Sequence, residues 1–103
     1  MPDAVITAIG IARAKPGQEK ELGRRMAALV ALTRTEPGCL AYDLFQSTDD
    51  PSVWMLLEQW RSQRDLDAHV GREHLQAFLR SKDEVLAEVP RSHRFVRATP
   101  SAM

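Results

Sequence analysis

With 103 residues and 14 basic side chains balanced by 14 acidic ones, the chain is one domain's worth of sequence. It lacks the basic excess of a nucleic-acid or anionic-membrane binder, and its 44% hydrophobic content excludes a disordered chain. The single cysteine, Cys39, allows no internal disulfide and no cysteine-based zinc site.

No apolar run approaches the ~18 residues of a membrane span. The opening Met1-Pro2-Asp3-Ala4 places an acid where a secretion signal carries a basic residue. The expectation is a soluble, cytoplasmic domain. A chain this short buries a modest fraction of its surface, so a partner subunit would add stability.

Ala4 to Ala14 alternates as a strand, with Val5, Thr7, Ile9 and Ile11 on one face and Ala4, Ile6, Ala8, Gly10 and Ala12 on the other. The small residues of the second face imply that something approaches closely there. Lys15-Pro16-Gly17 ends the strand. Gln18 then opens a helix whose first turn holds Glu19 and Glu21, where the macrodipole favours acids. Leu22, Met26, Leu29, Val30 and Thr33 share one helical face. Glu36-Pro37-Gly38 stops the helix, since proline cannot continue it and glycine accepts the left-handed turn beyond.

Cys39 to Ser47 is a second strand, with Leu40, Tyr42 and Leu44 on one face. Thr48 to Ser52 is a turn rich in residues that bond their own backbone, and Val53 to Trp60 is a third strand, so the two form a hairpin. Both faces of that third strand are apolar. Trp54, Leu56 and Trp60 accompany Glu58 on one, and Val53, Met55 and Leu57 lie on the other. Helices on one side of a sheet leave its second face wet. The expected cover for that face is the same face of another copy, a homodimer joined through its sheets.

Ser62, with Asp65 three residues on, resembles a capping box for a helix that presents Leu66, His69 and Val70 on one face. Gly71 breaks it. A further helix carries Leu75, Phe78, Leu79, Lys82, Val85, Leu86 and Val89 at helical spacing and ends at Pro90. Ser92 to Ala98 alternates as a last strand before a short tail. The order β-α-β-β-α-β predicts an α+β, ferredoxin-like domain with a core over about residues 4–98. It has a four-stranded antiparallel sheet with helices on one face.

Five short motifs then carry a resemblance. They are Ala14-Lys15-Pro16-Gly17-Gln18-Glu19, Thr35-Glu36-Pro37-Gly38-Cys39 with Tyr42, Asp50-Pro51, Glu58-Gln59-Trp60 and Ala68-His69. In this order and spacing the chain resembles the antibiotic biosynthesis monooxygenase domain family, the dimeric α+β barrels. The first two motifs mainly punctuate structure. The resemblance implies a homodimer with a pocket in each subunit between sheet and helices. It also implies oxidation of a quinol, anthrone or similar electron-rich aromatic by O2 without flavin, haem or metal. Haem-degrading relatives pair a first-strand asparagine with the tryptophan and histidine. Thr7-Ala8-Ile9-Gly10 offers none, and the whole sequence contains no asparagine, which speaks against that role.

Cofactor-free oxygenation requires a base, an apolar pocket and a group to steady the substrate anion. His69 is the candidate base, because imidazole titrates near neutral pH; as a core histidine it would instead bond Glu58 or a backbone carbonyl. Trp60 would wall the pocket or simply fill the core. Glu58 would act as a base, orient His69, or pair with Arg61, Arg94 or Arg97. Tyr42, Phe78 and Leu56 are the candidate substrate contacts. His74 and His93 read as exposed or structural. A His69/His74 metal pair is not expected, because five residues of separation puts them off one helical face and Gly71 intervenes. Two other readings remain open. One is a non-oxidative isomerase of a small polar substrate, with Arg91, Arg94 and Arg97 available to a phosphate. The other is a non-catalytic dimer that holds a ligand. An RNA-binding reading fails for want of aromatic and basic residues on the central strands.

Overall fold

A computed structural model describes residues 4–100. The elements follow the expected order: β1 (Ile6–Arg13), α1 (Glu19–Thr33), β2 (Cys39–Gln46), β3 (Val53–Trp60), α2 (Gln63–Val70), α3 (Glu73–Arg80) and β4 (Arg91–Val96). The strands form one antiparallel sheet in the order β2-β3-β1-β4. This is the ferredoxin-like α+β fold. The helical positions named from sequence are the ones that pack: Leu22, Met26, Leu29 and Thr33 of α1 are buried. The residue between them, Gly23, faces Trp54 so closely that a Cβ there would lie 2.4 Å from the indole.

Register sets which side chains meet beneath the helices. Tyr42 pairs with Glu58 across β2 and β3, Glu58 with Ala8 across β3 and β1, and Ala8 with Arg94 across β1 and β4. One row on the helix side therefore reads Tyr42, Glu58, Ala8, Arg94. The next reads Leu44, Leu56, Gly10, Ser92. The small residues of β1 occupy the centre of these rows, where they leave room.

The second helical region departs from expectation. The pattern from Leu75 to Val89 is not one helix: α3 stops at Arg80, a 3-10 turn spans Lys82–Glu84, and Leu86 then makes a single antiparallel bridge to Ala14. The cause is pairing with the end of β1. Lys15 N donates to Val85 O (2.8 Å) and Ala87 N to Arg13 O (2.9 Å). Val85 and Leu86 are buried by that contact rather than by a helical face, and Val89 is 77% exposed.

Among the described residues no helix covers the other face of the sheet. Phe45 on β2, Ile11 on β1 and Phe95 on β4 stand there 47%, 39% and 49% exposed, with Ile9, Met55 and Leu57 partly exposed among them. Among the described residues no helix is long and apolar enough to cross a membrane.

Two glycines have positive φ, Gly17 at 85° and Gly38 at 81°. A Cβ at Gly17 would meet nothing within 4 Å, whereas one at Gly38 would lie 2.3 Å from Asp65 Oδ2. Both alanine variants carry the left-handed penalty of about 1–2 kcal/mol. Only Gly38→Ala must also displace Asp65 from the start of α2. Urea unfolding is expected to show Gly38→Ala the less stable of the two; equal losses would contradict this packing.

Candidate active site

The start of α2 is set by Ser62, whose Oγ accepts from Asp65 N at 3.1 Å and donates to Asp65 Oδ2 at 3.0 Å. This is the N-cap half of a capping box, with the aspartate carboxylate bound to the Ser62 hydroxyl instead of to its backbone N–H. Two turns on, at the end of α2, His69 enters the protein with 2% of its surface exposed. It stacks on Trp60, with ring centres 4.8 Å apart at 32°, and meets the edge of Tyr42 at 5.4 Å. The helix ends at Gly71. Arg72 is extended, and α3 starts in a new direction.

His69 does not bond Glu58. Its Nδ1 lies 2.9 Å from Oε2 of Glu36, in the turn that closes α1, and that carboxylate is 7% exposed. An ionised carboxylate only accepts, so this contact puts a proton on Nδ1, and in the neutral imidazole Nε2 then keeps its lone pair. Nε2 has no hydrogen-bond partner among the described residues. The same Glu36 oxygen lies 2.6 Å from Nε2 of His74, and Arg72 Nε stands 3.6 Å from Oε1.

Glu58 also departs from the expected ion pairs. Its Oε1 accepts from the Trp60 indole N–H at 2.9 Å, while Arg61 pairs with Asp65 and Arg94 with Asp67. Burial pushes the Glu58 carboxyl above its ordinary value, and the Trp60 hydrogen bond opposes that only in part. Burial, reinforced by the nearby Glu58 charge, likewise holds the Tyr42 phenol well above its ordinary value.

A cavity of about 160 Å³ lies between the sheet and helices α2 and α3. Glu58, Tyr42 and Leu56 line its sheet side with Ala8, Ser92 and Arg94; His69 and the aliphatic side chains of Leu66, Leu75 and Leu79 line the helix side. Of the six residues picked out from sequence, four meet at this cavity. Trp60 stands behind His69, fully buried, as a core indole that also serves Glu58. Phe78 lies elsewhere, on a groove of about 410 Å³ between α1 and α3 that His74 also lines. Glu36 and His74 were not recognised from sequence as partners of His69. The one available signal was that Pro37-Gly38 alone suffices to stop a helix, which leaves the acid before them without a structural task.

Residues 5–81 match the model of the family described as antibiotic biosynthesis monooxygenase. The chain belongs to this family. The match spans Glu36, Tyr42, Leu56, Glu58, Trp60, His69 and His74. The crystal structure of PA3566 from Pseudomonas aeruginosa superposes with a TM-score of 0.88 at 33% identity, covering 96% of this chain and 99% of that one. A Bacillus subtilis protein named "Putative monooxygenase YcnE" is 28% identical over 75 residues, 73% of this chain and 79% of the relative. A Synechocystis protein, sll1783, is 24% identical over 86 residues. The chain covers 84% of itself in that alignment but only 58% of sll1783.

The raised Glu58 has a consequence for stability. A carboxyl whose folded value exceeds its unfolded one, here 4.5, stabilises the fold fully below that unfolded value. The contribution is lost as pH rises through the folded value. Glutamine mimics the protonated acid and does not titrate. Glu58→Gln is therefore expected to gain in melting temperature relative to the unaltered protein between pH 4 and pH 8. A deficit that widened with pH would overturn the assignment.

Proposed function

We propose that this member of the antibiotic biosynthesis monooxygenase family oxidises a small aromatic or quinol-type substrate with O2, without flavin, haem or metal in the reaction. The observation that carries the reading is the Glu36–His69 pair beside the cavity. A buried carboxylate holds one imidazole nitrogen, and the other is left to accept a proton. The cavity, about 160 Å³, has room for the reacting ring of such a substrate.

In this reading the substrate gives the proton of a ring hydroxyl or activated C–H to Nε2 of His69. The anion passes an electron to O2, and the two radicals join at carbon. The peroxide anion takes the proton back from His69, and for an activated ring CH2 the hydroperoxide then loses water to leave a carbonyl. One oxygen atom enters the product, the other leaves as water, and the substrate supplies all the electrons. The Glu58 carboxyl, whose protonated form burial favours, donates a hydrogen bond to the substrate oxygen. Leu56 and the aliphatic side chains of the helices exclude water.

One observation favours a second reading. Glu58 and His69 line the same cavity as an acid and a base, with Arg94 beside them. That set also suits a non-oxidative isomerase of a small polar substrate. The two readings differ in their need for O2.

The apolar sheet face with Phe45, Ile11 and Phe95 supports a homodimer through that face. Light scattering at micromolar concentration is expected to give twice the chain mass, and a monomer would remove this part of the proposal.

Oxygen uptake by chelator-treated protein, on hydroquinones, dihydroxynaphthalenes and anthrones corrected for autoxidation, tests the chemistry. Uptake is expected to fall by roughly 10²–10⁴-fold in His69→Ala. In Glu36→Gln the loss is expected to be smaller, with a displaced pH profile. Turnover of a substrate without O2 would transfer the site to the isomerase reading.

A further inference from the structure

The carboxylate that holds His69 also holds His74, and we propose that Glu36, His69 and His74 form a binding site for a zinc-class divalent cation. Their ligating atoms all lie within 4.8 Å of one another. Two imidazoles and one carboxylate are a protein ligand set that zinc accepts while keeping a fourth position for water. Clusters of such groups on a surface are commonplace, but this one is not on the surface. His69 and Glu36 are 2% and 7% exposed, and the His74 side chain is 19% exposed.

The geometry needs little change to admit an ion. Zinc bonds of about 2.0–2.2 Å place tetrahedral donors roughly 3.4 Å apart. Nδ1 of His69 and Nε2 of His74 now stand 2.9 and 2.6 Å from Glu36 Oε2. Each imidazole has to withdraw from the carboxylate by less than about 1 Å, and the two ring nitrogens, within 4.8 Å of one another, have to settle at the same spacing. Arg72 addresses the other oxygen, Oε1, and so leaves Oε2 as the donor. Its side chain is 44% exposed, which lets solvent screen its charge from the ion. His74 lines the groove between α1 and α3, and that groove is the way in.

The sequence spacing of the histidines is no obstacle. Five residues apart on one helix they would diverge, but His69 closes α2 and His74 opens α3, with Gly71 between. A cation at Nδ1 of His69 puts the neutral ring's remaining proton on Nε2. The ion therefore opposes proton acceptance by His69, and its binding is measured without any substrate.

Isothermal titration of chelator-treated protein with zinc chloride is expected to give one ion per chain. Cobalt chloride is expected to give the visible absorption of a four-coordinate Co2+ site. His74→Ala and, as a milder replacement, His74→Gln are expected to weaken zinc binding by at least about tenfold. On the unaltered protein, zinc is expected to shift the imidazole NMR signals of His69 and His74. The signal of His93, on the open sheet face, is expected to stay in place. Absence of binding, binding indifferent to both His74 variants, or NMR shifts confined to His93 would each overturn the site.

Discussion

One carboxylate oxygen joins three parts of the chain. Oε2 of Glu36 accepts from imidazoles at the end of α2 and the start of α3, while Glu36 itself belongs to the turn between α1 and β2. Burying a carboxylate is costly unless it is paired and hydrogen-bonded. Two imidazoles and the flanking Arg72 meet that condition here. The same contacts fix the tautomer of His69 and the angle at which the α2–α3 bend meets the sheet.

The space beneath that bend follows from the sheet. Ala8 and Gly10 lie at the centre of the two rows that face it, between Glu58 and Leu56 of β3 and Arg94 and Ser92 of β4. Larger residues there would fill the cavity. Further along the same face Trp54 packs on Gly23 of α1, and Trp60 fills the core beside His69. The two indoles thus stand at opposite ends of β3, and the cavity opens between them over Leu56 and Glu58. Polar groups at the cavity come from different elements, His69 from a helix and Glu58 from a strand. Local sequence does not bring them together; the antiparallel register and the helix docking do.

The two faces of the sheet differ in what they ask of a partner. The helix side satisfies itself within one chain. The open side leaves Phe45, Ile11 and Phe95 in water, at a hydrophobic cost that grows with the apolar area exposed. That asymmetry was already visible in β1 and β3, whose two faces are both apolar in sequence.

Alternation, helical spacing and the punctuation at Pro16-Gly17, Pro37-Gly38 and Gly71 determined the element order, and with it the ferredoxin-like fold. They also marked His69, Glu58 and Tyr42, because polar groups on an otherwise apolar face are conspicuous, and Leu56 as their apolar neighbour on that face. These signals are local, arising within a few residues of one another. The partner of His69 was not local. Glu36 precedes it by 33 positions, in a motif that reads as a helix stop, and only the docking of α2 against the α1–β2 turn brings the two together. His74 reads as exposed or structural in sequence, and it is structural, but only the bend at Gly71 shows that it shares Glu36 with His69. Residues 82–89 read as helix because Val85 and Leu86 keep helical spacing, although their burial comes from pairing with β1. Periodicity records that a side chain is buried. What it is buried against, and which distant charge it faces, depends on how separate elements dock.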